Sequence, residues 1–166
     1  MRRLFVSPHL DDAVLSCGEL IASSAAALVV TVFAGRPSSM GPSRTPWDAA
    51  CGFGTHDDPV AARRSEDRAA LGVLGARPLW LDFVDDQYGE PRPAATIAAT
   101  LADTVAGEAP GEVYVPLGLF HADHLRASEA ALAVLPQFTN LAWRVARRPC
   151  QSSTKRTRRV MEHTGS

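Results

Sequence analysis

Short apolar runs alternate with longer amphipathic segments along the first 135 residues. The apolar runs are rich in Val, Leu and Phe and have the length of strands buried in a sheet. We predict strands at residues 3–7, 28–33, 79–83 and 112–116, and helices at residues 13–27, 60–74, 94–106 and 125–135. Strands that alternate with helices predict a parallel sheet connected by right-handed crossovers, and therefore an α/β fold.

The common order of strands in such a doubly wound sheet is 3-2-1-4, and we expect it here. The fold would then be a single-domain, Rossmann-like, three-layer fold with a mostly parallel sheet. Strands 1 and 4 would be neighbours at the point where the chain reverses its direction of winding. The crevice between their carboxyl ends is where open α/β sheets bind ligands, so we expect the site there.

The loop after the first strand carries residues suited to a metal site. Residues 7–19 read S-P-H-L-D-D-A-V-L-S-C-G-E. His9 and Asp12 are ligand types that zinc uses, and Asp11, which points away from Asp12, could take a proton from metal-bound water. The alternative interpretation is that Pro8 makes a turn and the aspartates only cap the following helix.

A second group of His and Asp residues follows the fourth strand. Residues 117–124 read L-G-L-F-H-A-D-H and contain His121, Asp123 and His124. In the expected strand order this loop lies beside the loop of His9, Asp11 and Asp12. Convergence of the two groups supplies a third ligand and a spare imidazole, and it favours a metal site over a cluster of polar caps.

Residues 35–59 show no apolar periodicity and contain many Gly, Pro, Ser and Asp residues. Loops of this length inside a compact domain are usually functional lids or are disordered. Trp47 and Phe53 favour a lid that covers the crevice and helps to choose the substrate.

The composition, 46% hydrophobic and 21% charged, is that of one soluble globular domain. The most apolar stretch, residues 20–34, is too short and too polar to span a bilayer, and Pro8 interrupts the only run that could be a secretory signal. We therefore expect a cytoplasmic protein with no membrane span. The three cysteines are odd in number and widely spaced, which excludes a disulfide scaffold.

Charge is distributed unevenly between the body and the C-terminal end. Residues 144–166 carry seven Lys or Arg and one Glu, a net charge of +6, whereas residues 1–143 carry −7. The basic segment has neither apolar periodicity nor interleaved aromatic residues. We predict a disordered tail at residues 144–166 and expect no binding to nucleic acid.

The two motifs resemble those of the PIG-L or LmbE-like family of zinc-dependent N-acetylglucosamine deacetylases. The family's P-H-P-D-D-E stands here as P-H-L-D-D-A at residues 8–13, and its H-x-D-H as H-A-D-H at residues 121–124. The resemblance extends from residue 3 to about residue 135 and includes V-V-T-V-F-A-G, R-R-x-E and L-D-F-V-D-D segments. Leu10 and Ala13 replace the family's proline and glutamate.

The resemblance implies a role for each residue of the two motifs. The zinc ligands would be His9, Asp12 and His124, and the general base would be Asp11. A histidine that stabilises the transition state would be His121, oriented by Asp123. The family's sugar-binding residues correspond to Arg63 or Arg64 and to Asp85.

The implied function is metal-dependent removal of an N-acetyl group from an N-acetylglucosamine-type amino sugar or its conjugate. Zinc is the expected metal, another divalent ion being possible, and a homo-oligomer is also possible. Because the family usually continues with further strands, the deacetylase domain predicted at residues 1–143 would be short at its C-terminal end. The alternatives are a metal-dependent amidase with a non-sugar substrate and a catalytically impaired module that binds a sugar or a nucleotide.

Overall fold

Five parallel strands form one sheet at the centre of the molecule. The computed structural model describes residues 1–38, 44–138 and 141–146. The strands are β1 (Arg3–Ser7), β2 (Ala27–Thr31), β3 (Ala76–Trp80), β4 (Glu112–Pro116) and β5 (Ala142–Ala146), in the order β3-β2-β1-β4-β5. The predicted α/β class and the order 3-2-1-4 of the first four strands are confirmed, and β1 and β4 are neighbours in register from Arg3↔Glu112 to Phe5↔Tyr114.

Helices cover both faces of the sheet and make the fold three-layered. They are α1 (Asp12–Ala22), α2 (Pro46–Ala50), α3 (Pro59–Val73), α4 (Ala94–Glu108) and α5 (Ala122–Val134). Alternate residues of β1 separate the two cores, because successive strand side chains point to opposite faces. Phe5 packs with Ile21 of α1 and Leu71 of α3, whereas Leu4 packs in the core that contains α4 and α5.

Three predicted elements begin or end three or more residues away from the predicted positions. Helix α1 ends at Ala22 rather than at the predicted residue 27. The next two residues, Ser23 and Ser24, both donate their hydroxyl groups to the carbonyl of Leu20, and such local bonds compete with the helix. Strand β3 runs from Ala76 to Trp80 rather than from residue 79 to 83. The residues after it leave the strand ladder and contact the neighbouring segment through the Leu81 N–H, which bonds to the Thr31 carbonyl, and through the Phe33–Asp82 bridge.

Helix α5 differs more importantly from the prediction, since it begins at Ala122 rather than at residue 125. His121 caps this helix, and the start of the helix therefore lies within the second motif.

The sequence prediction missed β5. This strand pairs with β4 from Glu112↔Ala142 to Pro116↔Ala146, so the domain boundary expected after residue 143 falls inside a strand. The hydrophobic pattern did not indicate β5, because this strand lies at the edge of the described sheet and exposes Trp143, Arg144 and Val145. The rest of the predicted tail, residues 147–166, lies outside the described residues.

The segment predicted to be irregular from residue 35 to 59 contains a short helix, α2. Thr45 caps it by accepting a hydrogen bond from the Asp48 N–H, and a proline occupies its first turn. Residues 39–43 of the predicted lid lie outside the described residues. Among the helices of the described ranges, none combines the length and the hydrophobicity needed to cross a membrane.

A buried carboxylate connects the sheet's last two strands to β1. The Glu112 side chain accepts hydrogen bonds from Arg3 at 3.1 Å and from Arg144 at 2.5 Å. Burial opposes its ionisation, but hydrogen bonds from Arg144 and Tyr114, together with the charges of the two arginines, outweigh burial and lower the pKa of Glu112 from its usual 4.5.

Replacement of Glu112 should therefore destabilise the sheet in a pH-dependent way. We expect Glu112→Gln to lower the free energy of unfolding by about 1.5–3 kcal/mol at pH 7, the contribution of a hydrogen bond to a charged group. Because the folded-state pKa is lowered, this contribution is present above pH 4.5 and is lost as the pH falls through the folded value. Urea unfolding at pH 7 and pH 3 measures it, with exposed Glu129→Gln as control; an equal loss at both pH values would contradict the ion-pair account.

Candidate metal centre

Three ligand-type atoms meet at the carboxyl ends of β1 and β4. His9 and Asp12 lie in the β1–α1 connection, and His124 lies in the first turn of α5. Nε2 of His124 is 3.1 Å from Oδ2 of Asp12 and 3.3 Å from Nδ1 of His9, and that Nδ1 is 3.4 Å from the same Oδ2. The three atoms form a nearly equilateral triangle.

This triangle fits one face of a tetrahedral metal site. With bonds of about 2.0–2.1 Å, neighbouring ligands of a tetrahedral zinc ion lie about 3.3–3.4 Å apart. Two imidazoles and one carboxylate are also a set that catalytic zinc sites use, with the fourth position left for water or substrate. Both the donor types and their separations therefore suit Zn²⁺ at His9, Asp12 and His124.

The loop before α1 is shaped by Ser7, which the sequence did not single out. Its hydroxyl donates to the His9 carbonyl at 2.7 Å and accepts from the Ala13 N–H at 3.0 Å, and so takes the place of a capping aspartate. Asp11 occupies the cap position, but within the described residues its side chain makes no capping bond. The alternative interpretation, in which both aspartates serve mainly as helix caps, is therefore disfavoured.

Asp123 is fully buried, and its carboxylate lies closer to His9 than to His121, the residue that it was expected to orient. Its Oδ2 lies 3.1 Å from Nε2 of His9, against 3.9 Å from Nδ1 of His121, and it also accepts the Asp86 N–H at 3.0 Å. A carboxylate at this nitrogen keeps a hydrogen on Nε2, so that a neutral His9 presents the lone pair of Nδ1 to the triangle. Arg126 donates to the other carboxylate oxygen at 2.8 Å.

The electrostatics of this cluster favour a cation within the triangle. Burial disfavours a charged His9, but hydrogen bonds to Asp12 and Asp123 outweigh burial and raise its pKa to about 10. Burial, together with the charge on His9, lowers the pKa of His124 despite Asp12. Burial opposes ionisation of Asp12 too, yet the bonds to His9 lower its pKa. Without a metal ion, the two carboxylates thus hold a positive charge as a proton on His9, and a metal bound at Nδ1 would take the place of that proton.

Asp11 and His121 flank the triangle and line the same pocket. Burial of its carboxyl group and the neighbouring Asp12 charge raise the pKa of Asp11, which suits a group that accepts a proton. His121 accepts the Asp123 N–H at its Nδ1, at 3.2 Å, so Nε2 carries the hydrogen of the neutral ring. The rings of His9 and His121 are perpendicular, with centroids 5.1 Å apart.

The residues predicted to bind a sugar divide into two groups. Asp85 and Arg63 line the pocket, and Oδ2 of Asp85 is 3.8 Å from Nε2 of His9. Arg64 is engaged elsewhere: its guanidinium lies over Trp80, 5.1 Å from the ring centroid, and bonds to Asp82 and to the carbonyl of Ala34. The structure therefore brings Arg63, and not Arg64, to the pocket.

Arg63 itself is bound by a residue that sequence reasoning missed. Asp48 of α2 is fully buried, 2.7 Å from the Arg63 guanidinium, and it accepts a 2.9 Å hydrogen bond from the Tyr88 hydroxyl. The guanidinium also lies over the ring of Phe53, 5.3 Å from its centroid. Nothing in the sequence distinguishes Asp48 from the other acidic residues of this irregular segment, because the residues that bind it are distant in the chain.

The fold and this cluster together define a doubly wound α/β protein with a candidate divalent-metal centre at its topological switch point. The chain belongs to the PIG-L family, whose model, described as GlcNAc-PI de-N-acetylase, matches residues 4–135. Comparison with curated protein sequences finds no match.

Solved structures share the fold. A triple mutant of a deacetylase from the teicoplanin biosynthetic pathway is 33% identical, with a TM-score of 0.75 over 82% of this chain. The zinc-inhibited form of teicoplanin deacetylase is 28% identical, with a TM-score of 0.73 over 82% of the chain. A 4-carboxy-2-hydroxymuconate hydratase from Pseudomonas putida is 26% identical, with a TM-score of 0.61 over 80%. The chain spans 60%, 64% and 55% of these three proteins, respectively.

The role of Asp123 can be tested through metal affinity alone. We expect Asp123→Asn to weaken zinc binding by about 10- to 100-fold, because the amide is a poorer partner for the His9 N–H and no longer fixes the ring. Competition with a chelator of known affinity measures the change. Asp103→Asn, on the exposed side of α4, is the matched control and should bind zinc like the unmodified protein. Equal affinities for the Asp123 and Asp103 variants would refute the role assigned to Asp123.

Proposed function

We propose that the chain is a zinc-dependent deacetylase that hydrolyses the N-acetyl group of an N-acetylglucosamine-type amino sugar or its conjugate. The observation that carries this proposal is the triangle of His9, Asp12 and His124 with Asp11 and His121 beside it. Membership of a family described by its GlcNAc-PI de-N-acetylase activity supports the reaction. A deacetylase 33% identical to the chain and a zinc-inhibited deacetylase structure support it further.

His9, Asp12 and His124 would hold the ion. A bound zinc ion would polarise the amide carbonyl and lower the pKa of its water toward about 7. Asp123 orients His9 for this task, and Arg126 holds the Asp123 carboxylate.

Asp11 is the proposed general base. Its carboxylate would remove a proton from the attacking water and then give that proton to the departing amine, so that one group serves both steps. The raised pKa of Asp11 suits both acceptance and return of the proton. Acetate and the free amino sugar are the products.

His121 would stabilise the negative charge that develops on the amide oxygen. Nδ1 of His121 accepts an N–H from the backbone, which requires a lone pair there. We therefore assign the role to a neutral imidazole that donates from Nε2. A neutral donor aimed at the oxyanion is an established way to lower such a barrier.

Asp85 is the proposed acceptor for a sugar hydroxyl, since it lines the pocket beside His9. Arg63 also lines the pocket, but its ion pair with Asp48 makes it part of the pocket wall. Arg64 pairs with Asp82 instead, and we assign it no role in binding the sugar.

A second candidate reaction is suggested by the hydratase that shares the fold, since addition of water to a carbon–carbon double bond would also use a base beside a metal. Zinc-dependent release of acetate from N-acetylated amino sugars decides between them. A screen that releases no acetate, from a protein with zinc bound, would contradict the proposal.

The roles of ligand, base and oxyanion donor predict how zinc content and turnover change when each residue is replaced. Asp11→Asn should keep about one zinc per chain and lower turnover by roughly 100-fold or more. His121→Ala should also keep zinc and lower kcat, because its role is confined to the transition state. His124→Ala should lose both zinc and turnover. Metal analysis beside acetate release measures all three, and loss of zinc from Asp11→Asn would show that the roles are divided wrongly.

The Asp48 ion pair predicts that the segment containing α2 is a fixed wall. We expect Asp48→Asn to lower the free energy of unfolding by about 2–4 kcal/mol, since Arg63 loses its buried counter-charge. KM should rise while zinc content is unchanged, because the wall and not the metal centre is disturbed. Thermal unfolding and steady-state kinetics measure these effects, with Asp103→Asn as control. If KM were unchanged while the protein became less stable, the segment containing α2 would have no part in substrate binding, and the prediction would be wrong.

A further inference from the structure

One tight turn between β3 and α4 contacts both the metal centre and α2. It consists of residues 85–88, and we call it the 85–88 turn. On one side, the Asp86 N–H bonds to the buried carboxylate of Asp123 at 3.0 Å. On the other side, the Tyr88 hydroxyl bonds to the buried carboxylate of Asp48 in α2 at 2.9 Å. The 85–88 turn therefore connects the metal centre with the wall of the pocket.

The carboxylate of Asp85 is fixed within this turn by Gln87. The backbone N–H of Gln87 donates to Oδ1 of Asp85, and its side-chain Nε2 donates to Oδ2, both at 3.0 Å. Two bonds from one residue determine the plane of the carboxylate. Because each carboxylate oxygen can accept two hydrogen bonds, a lone pair on each oxygen remains for a ligand. Asp85 lines the pocket, and 23% of its side chain is exposed.

The side chain of Gln87 continues a chain of hydrogen bonds that begins in α2. An ionised carboxylate can only accept, so Gln87 turns its amide nitrogen toward Asp85 and its oxygen toward Thr45. That oxygen, Oε1, accepts the Thr45 hydroxyl at 2.6 Å. The oxygen of the same hydroxyl accepts the Asp48 N–H at 3.1 Å, the bond that caps α2. All three donors therefore point from α2 toward Asp85, an arrangement in which each bond strengthens the next.

The bonds of Gln87 are not needed to hold α2 in place. Asp48 already attaches α2 to the rest of the protein, through Arg63 and through Tyr88. Thr45 caps α2 through the Asp48 N–H, and this bond does not involve Gln87. Among the described residues, what depends on the amide of Gln87 is the orientation of Asp85.

Asp85 in turn is not needed to hold His9. Its Oδ2 is 3.8 Å from Nε2 of His9, which is too far for a hydrogen bond. The same nitrogen lies 3.1 Å from Oδ2 of Asp123, which is its close partner. The carboxylate of Asp85 is thus fixed beside the metal centre while its remaining lone pairs stay available to a ligand in the pocket.

We propose that Gln87 is a positioning residue for the substrate. It directs the Asp85 carboxylate at a hydroxyl group of the bound sugar, and through Thr45 it makes this direction depend on α2. The identity of the ligand rests on the proposed function. Gln87 also lines the pocket, but both ends of its amide are engaged. Its effect on binding therefore passes through Asp85.

A double-mutant cycle tests this dependence. The ligand is methyl β-D-glucosaminide, which lacks an amide bond and is not hydrolysed. Its binding to the zinc-loaded, 15N-labelled protein is measured by NMR titration, which is suited to weak ligands. We expect Gln87→Met, which keeps the length of the side chain without its hydrogen bonds, to weaken binding about 10-fold.

The same change should have little effect where Asp85 is absent. In the Asp85→Ala background we expect Gln87→Met to weaken binding less than about 2-fold, because no carboxylate remains to be positioned. A residue that only stabilised the pocket would weaken binding by the same factor in both backgrounds. Equal factors would therefore overturn the proposal, and so would unchanged binding by the single variant Gln87→Met. Gln137→Met, at an exposed glutamine, is the matched control and should bind like the unmodified protein.

A pair of variants at Thr45 tests the link to α2. Thr45→Val removes the hydroxyl and keeps the shape of the side chain, and we expect it to weaken binding about 3-fold where Asp85 is present. Thr45→Ser keeps the hydroxyl and should restore the affinity of the unmodified protein. Equal binding by the valine and serine variants would overturn the dependence on α2.

Acetate release from N-acetylated amino sugars judges the proposed function separately. A protein that shows the expected cycle but releases no acetate contradicts only the proposed function. Acetate release together with equal factors in the two backgrounds contradicts only the role of Gln87. A protein that releases acetate but shows no binding of methyl β-D-glucosaminide also overturns that role.

Discussion

The hydrogen bond between the buried Asp123 carboxylate and His9 connects the parts of the chain that form the site. His9 belongs to the connection after β1, Asp123 to the first turn of α5 after β4, and the same carboxylate accepts the Asp86 N–H from the segment after β3. Three loops are thus joined through one group that is fully excluded from solvent. A buried carboxylate is tolerated only when it is fully partnered, and Arg126 supplies the remaining partner.

The position of this bond follows from the sheet. Because β1 and β4 are parallel neighbours, both carboxyl ends point to the same edge, and the residues after each strand must meet. The sequence was sufficient to predict this meeting, since both strands are apolar runs and the His and Asp groups follow each of them directly. The interior of the fold, and the His and Asp residues that lie together at this edge of the sheet, could therefore be predicted.

The parts that could not be predicted depend on contacts between residues distant in sequence. Strand β5 has exposed side chains and no apolar run, and it is recognisable only beside β4 and the Glu112–Arg144 ion pair. Asp48 stood in a segment without periodicity, and its importance comes from Arg63 and Tyr88, which other elements bring to it. In both cases the structure depends on contacts with residues distant in the chain, which the local hydrophobic pattern does not reveal.

The central claim is that His9, Asp12 and His124 together hold a divalent metal ion. Anomalous diffraction at the zinc absorption edge, from crystals grown with one equivalent of zinc, tests it most directly. The account predicts a single strong peak about 2.0–2.2 Å from Nδ1 of His9, Oδ2 of Asp12 and Nε2 of His124. A peak bound by other residues, or an intact triangle with no peak at full zinc loading, would contradict it.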